Sequence, residues 1–203
     1  GLRDLAGHGD YQLGLVVGLD YENARLFAEL ALRVAGNPRP SQLIAGASNF
    51  ALGRYEAAVA HYQATGKRAL LDIALRTADL LVDTFGPGKK SIWPGHQITE
   101  MGLAKLYRVT GDDRYLTLAK FLLDERRPKP GEKTNPRGLE YNQAHQPVID
   151  QTEPVGHAVR ATYMYSGMAD VAALTGDASY VKAIDTIWAN TVGRKLYLTG
   201  GIG

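Results

Sequence analysis

The dipeptide Thr-Gly lies between two helix-like stretches at three places in this sequence, at 65–66, 110–111 and 175–176. Each copy separates two stretches in which apolar residues recur at helical spacing. Glycine can take the left-handed conformation that ends a helix, and Asp112 and Asp177, which follow two of the glycines, are favourable N-caps for a next helix. An apolar or aromatic residue follows each glycine after four positions, at Leu70, Tyr115 and Tyr180. Each unit therefore predicts an αα-hairpin with a tight turn.

Apolar periodicity predicts helices over most of the 203 residues. The predicted ranges are 20–35, 41–65, 67–85, 97–110, 112–127, 154–175 and 177–192. Pro128 stops one helix, and Pro154 occupies a favoured first helical position for the next. A long loop is predicted between them, at 128–153, and strand signals are weak, at 13–17 and 196–199.

The spacing of the Thr-Gly turns favours one fold class. The intervals of 45 and 65 residues are too irregular for a strict solenoid. Unequal connections suit an all-α fold, an incomplete α/α toroid of the (α/α)6-barrel type, in which long loops line the mouth of the active site. We therefore predict that 1–203 is part of such a domain and that 128–153 is its active-site-type loop. A generic helical bundle is the alternative.

Composition excludes several classes of protein. The sequence has no cysteine, which excludes disulfides, Cys-ligated metals and a thiol nucleophile within these residues. A formal charge of +2, from 23 basic and 21 acidic residues, predicts no nucleic-acid partner. The sequence also predicts no membrane span and no signal peptide, which favours a cytoplasmic location. The first residue is Gly and the last run is Gly-rich, so we expect a piece of a longer chain.

One polar cluster lies at 93–100. His96 and Glu100 are four residues apart, so on a helix they share a face. They could form half of a metal site, a pair that binds sugar, or a purely structural pair. No third ligand has a matching spacing, so we predict no metal site in this chain.

A second cluster, at 141–157, contains Asn, Gln, His, Asp and Glu side chains. Amide, imidazole and carboxylate groups together suit a neutral polyol such as a sugar, and Trp93 and Tyr141 could offer apolar faces to its ring. Asp150 and Glu153 could form an acid/base pair. The alternative is that Glu153 caps a helix that starts at Pro154.

Several strings in these regions resemble the catalytic domain of glycoside hydrolase family 127, the β-L-arabinofuranosidase-like proteins. The most specific are Gln151-Thr-Glu-Pro-Val-Gly-His157-Ala-Val-Arg160 and Leu196-Tyr-Leu-Thr-Gly-Gly-Ile-Gly203. Further matches are Glu56–Arg68, Pro94–His96, Leu106–Gly111 and Ser166–Met168. Together they extend over roughly 55–203 in family order.

This resemblance implies a retaining hydrolase that removes terminal β-L-arabinofuranosyl residues from glycans. His96 and His157 match family histidines that hydrogen-bond the sugar, and Gln97, Gln151 and Glu153 complete the predicted substrate-binding set. The resemblance also implies a zinc-bound cysteine nucleophile in the complete family enzyme. A further sugar-binding histidine of the family is replaced here by Gly53. We therefore predict a carbohydrate partner but no catalytic residue, metal or cofactor within this chain, which alone would be inactive.

Two other functions stay open at this point. One is a helical domain that binds carbohydrate or protein without chemistry, and that self-associates through exposed helix faces. The weaker one is an α/α-barrel sugar epimerase of the N-acylglucosamine 2-epimerase type, with His96 and His157 as its proton-transfer pair.

Overall fold

The computed structural model describes residues 55–129 and 138–202. Several predictions lie outside these residues. They are the helix at 20–35, the strand at 13–17, the first part of the helix at 41–65, Gly53, and residues 130–137 of the predicted loop.

The described residues are mainly helical. The helices are α1 (55–65), α2 (Ala69–Thr84), α3 (Thr99–Thr110), α4 (Asp113–Asp124), the single turn α5 (Gly138–Tyr141), α6 (Ala158–Thr175) and α7 (Ala178–Asn190). A 3-10 turn lies at Val148–Asp150 and a π-helical turn at Thr191–Lys195. The predicted all-α class is confirmed for this part of the chain.

The three Thr-Gly turns share one hydrogen-bond pattern. The φ angles of Gly66, Gly111 and Gly176 are 69°, 71° and 70°. Each threonine hydroxyl donates to the carbonyl four residues earlier, at 2.6 or 2.7 Å, and accepts the amide two residues later at 3.2 Å. Asp112 and Asp177 then accept the amides of the residues two positions on, as N-caps. The turn residues thus satisfy backbone groups that helix ends leave without partners.

The hairpins stack in two layers. The first helices of the hairpins, α1, α3 and α6, are neighbours, since Lys105 of α3 pairs with Glu56 of α1 and α3 packs on α6. The second helices, α2, α4 and α7, are linked by hydrogen bonds from Tyr115 to Asp79 (3.0 Å) and from Tyr180 to Asp124 (2.7 Å). The core between the layers includes Leu103, Leu106, Leu118, Leu123, Met164, Met168 and Val171.

Two predicted helix boundaries were wrong by more than two residues, and one predicted strand was wrong. Helix α6 begins at Ala158, not at Pro154, because Gly156 has a φ of +74° just before it. Helix α4 ends at Asp124, not at Arg127. Residues 196–199 form a turn closed by a single antiparallel bridge between Leu196 and Ile202, not a strand.

No helix within 55–129 or 138–202 combines the length and apolar character that crossing a bilayer requires.

Candidate functional site

Two loops meet where α3 and α6 begin. The first loop, residues 91–98, leads into α3, and the second loop, residues 142–157, leads into α6. Because α3 and α6 pack side by side, the two loops come together, and we call this region the loop end. The turns at Gly111 and Gly176 follow the other ends of the same two helices.

Buried amide side chains hold the loops together. Gln97 donates from Nε2 to the Asn142 carbonyl at 2.8 Å and to Oε1 of Gln143. Gln143 donates in turn to the carbonyls of Tyr141 and Val155, at 3.1 and 3.0 Å. Its own φ is +56°, a strained conformation for a residue with a side chain. The surrounding hydrogen bonds therefore determine this backbone conformation against its local preference.

A buried ion pair lies beneath the loops. Arg126 and Glu100 are both fully buried, and Nη2 of Arg126 donates to Oε1 of Glu100 at 3.0 Å. Arg126 also donates to the carbonyls of Pro94 and Asn142, at 3.0 and 3.3 Å. Its guanidinium lies 4.8 Å from the centre of the Trp93 ring. Burial lowers the pKa of Arg126, and the Glu100 carboxylate opposes that shift.

A second arginine, from α6, also joins the two loops. Arg160 donates to the Gly95 carbonyl and, at 3.0 Å, to Oδ1 of Asn142. Its guanidinium lies 5.1 Å from the centre of the Tyr141 ring. An arginine guanidinium thus lies over the ring of Trp93 and another over the ring of Tyr141.

The structure brings His96 and His157 to the loop end from different loops. The His96 ring contacts Tyr163 edge-on at 5.4 Å, and the His157 ring contacts Tyr141 in the same way at 5.3 Å. The Nδ1 atoms of both histidines are buried and have no hydrogen-bond partner among the described residues. Burial, together with the positive charges of Arg160 and Arg126, lowers the pKa of His96 from 6.5, so this imidazole is neutral at pH 7.

The other predicted residues lie in two different environments. Gln97 and Gln151 are buried, and Gln151 donates to the Gln143 carbonyl at 2.8 Å. Glu153 is half-exposed and pairs with Lys195 at 3.1 Å. The alternative in which Glu153 caps a helix at Pro154 is wrong, because α6 begins at Ala158. Asp150 is exposed at the end of the 3-10 turn.

Sequence reasoning gave no role to Arg126 or Arg160, and it placed Asn142 and Gln143 in the polar cluster at 141–157 without predicting their part in this network. The pair Arg126-Arg127 is typical of a basic, solvent-exposed helix end. Nothing in the local sequence indicates that Arg126 is buried while Arg127 is exposed. The signal for Arg160 was available, since it closes the most specific string of the second loop.

The donor set does not fit a metal. Within 55–129 and 138–202, no group of three or more His, Cys, Asp or Glu side chains is placed to hold an ion, and the sequence has no cysteine. The zinc-thiolate site that the resemblance implies for the complete enzyme therefore has no counterpart among these residues.

Comparison with known proteins gives one consistent result. The family described as beta-L-arabinofuranosidase, GH127 catalytic domain, matches residues 39–203. A non-reducing end beta-L-arabinofuranosidase from Bifidobacterium longum subsp. longum is 38% identical over 187 residues, which are 83% of this chain and 28% of that protein.

Solved structures agree with this match. A GH127 beta-arabinofuranosidase is 56% identical with a TM-score of 0.69, over 77% of this chain and 24% of the other. A GH127 beta-L-arabinofuranosidase from Geobacillus stearothermophilus T6 is 43% identical with a TM-score of 0.71, over 76% of this chain and 27% of the other. The predicted α/α-barrel class is confirmed, and the chain spans about a quarter of the length of these relatives.

Proposed function

Because this chain belongs to the family of GH127 beta-L-arabinofuranosidase catalytic domains, we propose that its loop end binds the terminal β-L-arabinofuranosyl residue of a glycan, as part of a retaining glycoside hydrolase. One observation carries the proposal. Two imidazoles from separate loops, each with an Nδ1 that has no partner among the described residues, lie at the same end of two packed helices.

Neutral histidine suits a sugar hydroxyl. One ring nitrogen of a neutral imidazole donates a hydrogen bond and the other accepts one, and a hydroxyl group also does both. The lowered pKa of His96 keeps its ring in this form near pH 7. We therefore assign His96 and His157 to direct contact with the furanose.

The remaining predicted residues take different roles in this proposal. Gln97 and Gln151 are fully buried and already donate to loop carbonyls, so we assign them to shaping the site. Glu153 is exposed beside Lys195, and we assign it to the rim, where it would meet a more distant part of the glycan.

Sugar binding tests the proposal. Titration of this chain with methyl β-L-arabinofuranoside, followed by NMR, should move the imidazole signals of His96 and His157. His96→Ala and His157→Ala should each weaken binding by about tenfold, the effect of losing one hydrogen bond of about 1.4 kcal/mol. His61→Ala, on α1, is the matched control and should bind like the unmodified chain. Binding that survives both site substitutions unchanged would contradict the proposal.

We propose that these residues do not hydrolyse the glycosidic bond by themselves. The support is the absence of cysteine from the sequence and of a metal-binding group from the described residues. An assay with a chromogenic β-L-arabinofuranoside, with and without added zinc, should give no turnover. Zinc-dependent release of the chromophore would overturn this part.

Self-association stays a prediction. Several large apolar side chains are exposed on α7 and just after it, among the residues that the structure describes: Val181, Trp188, Val192, Leu196, Tyr197 and Leu198. Sedimentation velocity tests the prediction, because association should disappear in Trp188→Lys, whereas a monomer at high concentration would contradict it.

A further inference from the structure

Arg126 contacts three separate parts of the loop end. It follows the C-terminal end of α4, and no atom of its side chain is exposed. Its guanidinium donates to Pro94 in the first loop, to Asn142 in the second loop and to Glu100 in the first turn of α3. A single side chain thus connects both loops to the start of one helix.

Both histidines lie close to the carbonyls that Arg126 holds. Pro94 precedes His96 by two residues, so its carbonyl fixes the chain entering the histidine. Asn142 directly follows Tyr141, and Tyr141 contacts the His157 ring and accepts the His157 amide at 3.4 Å. Displacing either carbonyl would therefore displace an imidazole.

A planar guanidinium suits this position better than a point charge. Its five N–H groups lie in a rigid fork, so it can address several acceptors in different directions at once. The Glu100 carboxylate balances the buried charge, and the Trp93 ring covers one face of the fork. Helix α6 also packs closely here, since a Cβ on Gly167 would lie 3.3 Å from Cβ of Glu100. The pair has little room to rearrange.

We propose that Arg126, paired with Glu100, is a positioning residue that fixes the two histidine-bearing loops relative to each other, so that His96 and His157 address one sugar together. The part of this proposal that concerns sugar binding rests on the proposed function, whereas the part that concerns loop geometry does not. Arg126 itself does not touch the sugar.

The test separates positioning from folding. Arg126→Met together with Glu100→Leu removes both charges and keeps an apolar volume, a change that buried ion pairs often tolerate. This double variant should unfold cooperatively, yet show shifted imidazole signals for both histidines and about tenfold weaker binding of methyl β-L-arabinofuranoside, the effect of a small misplacement of contact groups. The His61 signal, on α1, should not move.

Two further variants complete the design. Arg127→Met removes the neighbouring arginine, which is half-exposed and pairs with Glu125, and it should leave binding and all imidazole signals unchanged. Arg126→Lys keeps the charge beside Glu100 but loses the fork, so it should fold and still shift both histidine signals. Arg126→Lys therefore gives the answer if the double variant does not fold.

The outcomes distinguish the two proposals. Unchanged histidine signals and unchanged affinity in a folded Arg126 variant would overturn the positioning role. If the unmodified chain does not bind the sugar while the histidine signals still shift in the variants, the positioning role stands and the proposed function fails.

Discussion

The two ends of the α3–α6 pair are held together in opposite ways. At the Thr-Gly turns, each hydrogen bond joins groups within four residues of one another, and the same pattern occurs three times. At the loop end, Gln97 reaches across 45 residues to Asn142, and Arg126 reaches across 32 residues to Pro94. The turns are exposed and local, whereas the loop network is buried and non-local.

The two ends of the helix pair differ in what they need from the rest of the chain. The turns satisfy their own backbone groups, so they stabilise the hairpins without needing any other part of the chain. The loops contain only the 3-10 turn at Val148–Asp150 as regular structure among the described residues, and they depend on buried polar side chains from several elements. A substitution at the turns should therefore change stability without changing the loop end, and a substitution in the loop network should leave the turns intact.

The largest effect is expected from Arg126→Met alone. Removing the arginine leaves the fully buried Glu100 carboxylate without its partner, so the free energy of unfolding should fall by about 3–5 kcal/mol. Urea denaturation measures the change. Arg127→Met, one residue away but half-exposed, should change stability by less than about 0.5 kcal/mol. An equal decrease in the free energy of unfolding in both variants would contradict the prediction that the Arg126–Glu100 pair stabilises the fold more than the exposed Arg127 does.

A comparison of two glycines should give the next largest effect. Gly156 and Gly176 have nearly the same φ, +74° and +70°, but a Cβ on Gly156 would lie 2.0 Å from the Glu140 carbonyl oxygen, whereas one on Gly176 meets nothing within 4 Å. Gly176→Ala should lose about 1–2 kcal/mol, the backbone strain alone. Gly156→Ala adds a clash and should lose about 1–3 kcal/mol more. Thermal unfolding measures the loss of stability in each variant. A larger loss in Gly176→Ala than in Gly156→Ala would contradict the prediction.

The turn threonines should give a smaller and additive effect. Thr110→Val and Thr175→Val each remove a hydroxyl that donates to one backbone group and accepts from another, so each should lose about 1 kcal/mol. The two turns share no partner, so the double variant should lose about 2 kcal/mol.

The matched control for the turns is Thr186→Val. This hydroxyl also donates to the carbonyl four residues earlier, whereas the two turn hydroxyls additionally accept the amides of Asp112 and Asp177. Its loss should be smaller. Sugar affinity should be unaffected by all three substitutions, and a weakened affinity in Thr110→Val would show that the two ends are coupled.

The smallest effect is the pH dependence from His96. Because its pKa in the folded state lies below the unfolded value of 6.5, the unfolded state takes up the proton first, and stability falls as pH drops below that value. Between about pH 7.5 and about pH 5.5, the loss should be smaller in His96→Gln than in the unmodified chain. Urea denaturation at the two pH values measures the difference. An identical loss of stability in both proteins would show that a group other than His96 causes this pH dependence.

Much of the fold was predictable because its signals are local. The Thr-Gly turns, the N-caps Asp112 and Asp177 and the helical class each depend on residues close in sequence. The start of α6 was not predicted, because Pro154 carries a favourable local signal that the left-handed Gly156 cancels. Of the predicted site, His96 and His157 do lie at one end of the helix pair, but their contact with sugar stays a prediction.

The hairpins, the all-α class and the family to which the chain belongs could all be recognised from local sequence, since helix periodicity, turn chemistry and the Gln-Thr-Glu-Pro-Val-Gly-His string all occur within short windows. Which of the two adjacent arginines is buried, and which amides hold the loops, became visible only in the folded chain. Burial of Arg126 requires Glu100, Pro94 and Asn142 to converge on it from distant positions. That convergence depends on how α3, α4 and α6 pack, and no local pattern records it.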